Sequence, residues 1–301
     1  MRTNFRRIHF TLQFVFHCLL AGVCAAAAAE VGMNPELSTY IEAIGKPRLE
    51  KLTERVYVAR AYGGSNFLFI IGDGGVIAID SSWHIGSAAQ ALADLRKITD
   101  KPITTVIYSH GHPDHTGGVR AFIPDGAEDR IPIYASAKWH RYQDELITPI
   151  QPMILRRGAK QFDLDRVFDG DIMVSLGRFP AEGAIVSYLP PSREIDGPTE
   201  LTIEGVRFVF EPHATDIDDA LLIRLPDENV VYAGDAVTDM FPFIETPRME
   251  TGRSAEGFVT APGIIAGWKP DHLVMGHGNT IIGDPDRIQR ILRVQRDAVR
   301  E

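Results

Sequence analysis

Residues 103–118 read "ITTVIYSHGHPDHTGG": a β-branched run, then three histidines and an aspartate within six positions, then two glycines. Ile103, Val106 and Ile107 mark the run as a buried strand, so the histidines stand in the loop at its C-terminal end. His110 and His112, one residue apart, project to the same side of an extended loop and can grip one ion. Asp114 and His115 follow, placed to hold a second ion a few ångströms away. Zinc prefers imidazole nitrogen and carboxylate oxygen, and a catalytic zinc site keeps one position open for water. The plain alternative is a polar loop whose histidines only form hydrogen bonds; the density of ligand-type residues argues against it.

Upstream, "RVYVAR" and "SNFLFIIG" read as strands, "DGG" as a turn, and "VIAID" as a buried strand ending in the carboxylate of Asp80. Ile85, Ala88, Ala89, Leu92 and Leu95 recur at helical spacing. Downstream, "ELTIEGVRFVFEP" is a hairpin turning at Glu204-Gly205, and "ALLIRLPDENVVYAGD" is a second hairpin turning about Asp227 to Asn229. "HLVMGHG" reads as the last strand. Asp284 and Pro285 open a final helix, as N-cap and first helical residue. Two groups of strands, each followed by helices, imply an α/β fold of two face-to-face sheets with helices outside. Residues 145–192, rich in Gly, Pro and Arg, read as an excursion near the histidine loop.

The first 29 residues stand apart. Arg2, Arg6 and Arg7 precede an apolar run that ends in small residues, the pattern of a secretory signal peptide cleaved before Glu30 or Val31. A membrane anchor is the alternative, but the fully apolar part is short and contains His17. His9 fits a twin-arginine signal poorly, and Val23 fits lipidation of Cys24 poorly. The expectation is therefore a periplasmic or secreted protein, not inserted in the membrane after cleavage, with one domain over 30–301. Cleavage removes three of the 31 basic residues and none of the 40 acidic ones, taking the formal net charge from −9 to −12. An acidic chain of this kind is a poor partner for nucleic acid or an anionic membrane. Cys18 and Cys24, the only cysteines, lie in the leader, which excludes disulfides, thiol nucleophiles and thiolate metal ligands from the mature chain. Oligomeric state is not legible in the sequence.

"HGHPDH" is similar to the H-x-H-x-D-H signature of the metallo-β-lactamase superfamily, and the resemblance extends over the whole mature chain. It implies a four-layer αβ/βα sandwich and two zinc ions per chain. Asp80, the His110, His112, Asp114 and His115 loop, Asp235 in "YAGD" and His277 in "MGHG" match its motifs. In that family a third-position ligand precedes the bridging Asp, here Asp235, by nineteen residues. Nineteen back from Asp235 is Asp216, whereas His213 is three positions out of register, and a hairpin fixes register. Asp216 is accordingly the expected ligand, with His213 the alternative.

An acid at this position resembles the alkyl-sulfatase-like branch, as do "GSNFLFIIGDGGVIAID" and "LPPSREIDGPTELTIEGVRFVF". The resemblance implies a hydrolase in which two zinc ions share a water, acidify it to hydroxide and polarise the electrophile. Asp114 and Asp235 hold the metals and orient the hydroxide, and Asp80 orients a ligand histidine. A medium-chain alkyl sulfate is the first-choice substrate, with attack at carbon and departure of sulfate. A β-lactam, lactone or other ester is the alternative, and a non-catalytic metal-binding protein the remaining one. Phe241, Phe243, Arg248 and Arg253, in the loop after Asp235, form an apolar and cationic mixture suited to an amphiphilic anion. An ordinary surface loop with the arginines paired to Glu245 and Glu250 is equally compatible.

Overall fold

Alternation along the strands builds the layers. In the computed structural model, Phe67 and Phe69 point to one side of their strand and Leu68 and Ile70 to the other, and all four are fully buried. A strand buried on both faces lies in the middle of a sheet with something packed on each side. The structure describes residues 35–139, 151–161, 167–168, 171–174, 177–180, 187–240, 244 and 252–301. The leader expected over 1–29, and residues 145–150, 162–166, 169–170, 175–176 and 181–186 of the excursion expected over 145–192, lie outside the described residues.

After a helix, α1 (Pro35–Ile44), come β1 (Arg48–Lys51), β2 (Val56–Gly63), β3 (Ser65–Ile71) and β4 (Val76–Ile79), then α2 (Ile85–Leu95), β5 (Ile103–Ile107), a single helical turn α3 (Pro113–Thr116) and β6 (Ile133–Ser136). The excursion contributes α4 (Gln151–Gln161) and a small sheet of β7 (Val167–Phe168), β8 (Asp171–Val174) and β9 (Gly177–Pro180). The second half supplies β10 (Arg193–Ile195), β11 (Thr199–Ile203), β12 (Val206–Pro212), β13 (Leu221–Leu225), β14 (Val230–Tyr232), α5 (Ala255–Trp268), β15 (His272–Val274), β16 (Ile281–Ile282) and α6 (Pro285–Arg300).

One sheet has seven strands in the order β1-β2-β3-β4-β5-β6-β10, the other six in sequence order from β11 to β16. Three apolar clusters separate four layers. Ala88, Ala91 and Leu95 of α2 meet Phe67, Phe69 and Ala78 on the outside of the first sheet. Leu68, Ile70, Ile77, Ile79 and Ile107 meet Phe208, Phe210, Leu221, Ile223 and Tyr232 between the sheets. Ala261 and Ile265 of α5, with Ile288 and Leu292 of α6, cover Leu222, Val231 and Leu273 on the far side. This is the expected four-layer αβ/βα sandwich, a mixed α/β fold.

Both predicted hairpins form. Glu204 and Gly205 each take positive φ (49° and 74°), the two-residue turn whose twist matches its flanking strands. Asp284 caps α6 by accepting from the Arg287 amide, with Pro285 in the first turn. One reading is corrected. "HLVMGHG" is not the last strand, because after the His277 loop the chain returns as β16, antiparallel to β15. Helix α5 carried no clear periodic signal: Pro262 lies inside it, and Gly257, Gly263 and Gly267 interrupt its pattern.

The inter-sheet layer is where the fold is most sensitive. Leu68→Ala, at a fully buried position, is expected to lower unfolding free energy by about 2–5 kcal/mol. Chemical denaturation measures this; a loss below about 1 kcal/mol would contradict the two-sided burial of β3.

Candidate metal centre

Strand ends aim the site. β4 and β5 run parallel through the middle of their sheet and finish together, so Asp80 and Ser109–His110 emerge side by side. His112 is extended (φ −64°, ψ 144°), and Pro113 starts α3, whose one turn carries Asp114 and His115. Asp235 follows β14 on a 3-10 turn, and His277 follows β15. Gly276 leaves room for Asp235 and His115. A Cβ there would fall on Asp235 Oδ1 and lie 2.8 Å from His115 Cε1.

The ligand-type atoms form two groups, His110, His112, Asp216 and Asp235 in one, and Asp114, His115 and His277 in the other. In the first, His112 Nδ1 lies 2.9 Å from His110 Nε2 and 2.9 Å from Asp216 Oδ2, and His110 Nε2 is 3.8 Å from Asp235 Oδ2. In the second, Asp114 Oδ2 lies 3.1 Å from His277 Nε2 and 3.7 Å from His115 Nε2. Asp235 reaches this group too, at 3.3 Å from both His115 Nε2 and His277 Nε2. Ligand atoms about 2.0–2.1 Å from one tetrahedral ion are about 3.3 Å apart, so these spacings are those of a shared ion's coordination edges.

Hydrogen bonds turn the ring nitrogens. His115 Nδ1 meets Asp80 Oδ2 at 2.7 Å and His277 Nδ1 meets the Gly64 carbonyl at 3.1 Å, both pure acceptors, so both Nδ1 atoms carry hydrogen and both Nε2 atoms face the cluster. Ser109 Oγ donates to Asp80 Oδ2 at 2.6 Å and takes the Nδ1 hydrogen of His110 at 3.0 Å, which leaves the lone pair of His110 on Nε2, facing His112 Nδ1. His115 Nε2 and Asp235 Oδ1 are buried with no hydrogen-bond partner. Two unsatisfied buried atoms facing each other across 3.3 Å fit a divalent cation between them.

Without a cation, protons take its place. Burial opposes a charge on His277, but Asp235 and Asp114 outweigh it and push its pKa up to about 10. His115, against the same burial, is held well above the usual histidine range by Asp235, Asp114 and Asp80. His110 goes the other way: burial, then neighbouring His115 and His112, holds it well below. Asp235 and Asp114 are lowered despite burial, chiefly by His277 and His115.

Every predicted ligand-type residue is thus in the cluster, Asp216 included. His213 is not: its Nε2 pairs with Thr260 Oγ1 at 2.8 Å on α5. Asp80 is fully buried beneath the cluster, as expected of an orienting residue. Arg253 was expected to face substrate or pair with Glu245 or Glu250. Its buried guanidinium instead contacts Asp216 Oδ1, leaving Oδ2 toward His112. Phe241, Phe243 and Arg248 lie outside the described residues. Three partners escaped the sequence reading: Ser109, Asn66 and Tyr232. Ser109 was discoverable as the hydroxyl next to the first histidine; the other two become visible only when the sheets are stacked. The excursion does touch the site, since the Ser187 amide donates to the Gly117 carbonyl at 2.8 Å.

The Metallo-beta-lactamase superfamily model matches residues 61–278. A linear primary-alkylsulfatase of Pseudomonas sp. (strain ATCC 19151) is 27% identical over 233 residues, covering 75% of this chain and 43% of the relative. An alkyl/aryl-sulfatase of Saccharomyces cerevisiae is 28% identical over 275 residues, covering 88% and 42%. The solved structure of a stereoselective inverting sec-alkylsulfatase from Pseudomonas sp. superposes with a TM-score of 0.80 at 23% identity, covering 89% of this chain and 44% of that one. The chain therefore spans less than half the length of each of these relatives.

Two measurements follow from the geometry. Asp216→Ala is expected to lose one bound metal per chain by elemental analysis and His213→Ala none; metal loss from His213→Ala alone would reverse the assignment. Because His277 and His115 hold protons that a metal must displace, loading at pH 7 is expected to release about two protons per chain. Affinity should rise with pH up to about 10, where His277 loses its proton. The metal-free fold should lose the His277 contribution to stability over the same rise, the sign expected of a raised pKa. Calorimetry in buffers of different ionisation enthalpy counts these protons, and no release would contradict the charged state of His115 and His277 in the metal-free protein.

Proposed function

The chain belongs to the metallo-β-lactamase superfamily, and we propose that it is an exported, dinuclear zinc hydrolase of alkyl sulfate esters. The observation that carries this reading is Asp216 beside His110 and His112, an acid where the superfamily's usual histidine would stand. The similarity to primary-alkyl and alkyl/aryl sulfatases supports the same branch. Residues 1–29 act as the cleaved leader in this reading, and residues 30–301 as the catalytic domain of a periplasmic or secreted enzyme.

His110, His112 and Asp216 would hold one ion and Asp114, His115 and His277 the other, with Asp235 in reach of both groups. Bound zinc supplies Lewis acidity and lowers the pKa of a water toward neutrality. The protein's part is orientation. Asp80 fixes the ring of His115 directly and that of His110 through Ser109. Arg253 occupies one oxygen of Asp216 and so presents the other to the first ion. With Arg253 committed there, the role of meeting the sulfate falls to Arg248, and Phe241 and Phe243 receive the alkyl chain. The substrate is a small amphiphilic anion, and neither nucleic acid nor a membrane is a partner.

The test is hydrolysis by zinc-loaded protein. An apolar pocket gains about 0.8 kcal/mol per buried methylene, so kcat/KM is expected to rise about fourfold per added carbon until the pocket is full. In heavy-oxygen water the label is expected in the alcohol, as attack at carbon requires. Label in sulfate would place attack at sulfur. Turnover of a β-lactam or lactone with no alkyl sulfate cleaved would overturn the substrate.

A further inference from the structure

Tyr232 is a fully buried tyrosine on the inner face of β14, among the apolar residues between the sheets. A phenol in that layer must find a hydrogen-bond partner or cost stability. Its hydroxyl lies 2.6 Å from Asp80 Oδ2 and 2.8 Å from the Asn66 carbonyl oxygen. The charged carboxylate is the stronger of the two acceptors for its single proton.

Both contacts lead to the same metal position. Asp80 Oδ2 is the atom that holds His115 Nδ1. The Asn66 amide donates to the Gly276 carbonyl at 2.6 Å, and its side-chain nitrogen donates to the carbonyls of Met275 and Gly278 at 2.9 and 3.1 Å. Those three residues surround His277. One hydroxyl proton, given mainly to Asp80 Oδ2 and shared with the Asn66 carbonyl, therefore touches the supports of two of the three residues in the Asp114, His115 and His277 group. Burial, reinforced by Asp80, holds the phenol's pKa well above its usual value, so it remains a donor.

We propose that Tyr232 is a positioning residue for the second metal position, acting through Asp80 on His115 and through Asn66 on the loop that carries His277. This rests on the two-metal reading above. Outer partners of a ligand histidine typically contribute 10- to 100-fold in metal affinity, and Tyr232, one bond further out, is expected at about tenfold.

The experiment is competition of zinc against a chromophoric chelator, using the full chain. Y232F keeps the ring and removes one oxygen. It is expected to weaken one of the two zinc ions about tenfold and leave the other within about twofold. In the D80N background the same change should have a smaller effect, because the contact it acts through is altered. A merely structural role would lower the melting temperature of the metal-free protein and leave both affinities unchanged. That result, or equal weakening of both ions, or an undiminished effect in D80N, would overturn the proposal. Wild-type protein that binds no zinc would overturn the two-metal reading and this inference with it; two tight ions in both wild type and Y232F would overturn the inference alone.

Discussion

The Asp80 carboxylate is the contact on which the centre is built. It is fully buried, yet Ser109 Oγ, Tyr232 and His115 all reach its Oδ2 while the Ser109 amide donates to its Oδ1. A carboxylate in such a place costs several kcal/mol unless it is fully hydrogen-bonded, so each donor is fixed by the demands of this one group. The residue also takes left-handed backbone geometry, φ 63°, which an Asp tolerates better than most residues. Through it the two sheets are joined at the site: Asp80 and Ser109 come from the first, Tyr232 from the second.

Charge explains why the cluster and the fold depend on each other. Asp80, Asp114, Asp216 and Asp235 converge in a pocket that gives them little water. In the metal-free protein, protons on His115 and His277 and the guanidinium of Arg253 offset that charge. Divalent ions would take over the protons' share and, by binding the folded state alone, would also stabilise it. Asp80, Asp235 and His277 follow strand ends directly, whereas Asp114 and His115 ride on the single turn of α3 and Asp216 on the 213–220 loop.

Local pattern carried most of the fold. Alternation and Gly-containing turns marked β2 to β5 and both hairpins, and helical spacing marked α2. Elements with few residues or broken periodicity were not legible: β1, β6, β10 and β16 are two to four residues long, and α5 has a proline in its interior. At the site, the histidine loop announced itself by density, and Asp216 by its register with Asp235, since a hairpin transmits spacing faithfully. Arg253 was legible only as a charge; which carboxylate it meets depends on how α5 packs behind the 213–220 loop. Tyr232 and Asn66 read as ordinary strand residues, because their importance is a contact between sheets.

The central claim, that two ions sit in the two ligand groups, is tested most directly by anomalous diffraction at the zinc edge from crystals of the zinc-loaded protein. Two peaks are expected, one bounded by His110, His112 and Asp216 and the other by Asp114, His115 and His277, with Asp235 between them. A single peak, peaks elsewhere, or an Asp216 turned wholly onto Arg253 with no metal beside it would rule out two ions in these two ligand groups.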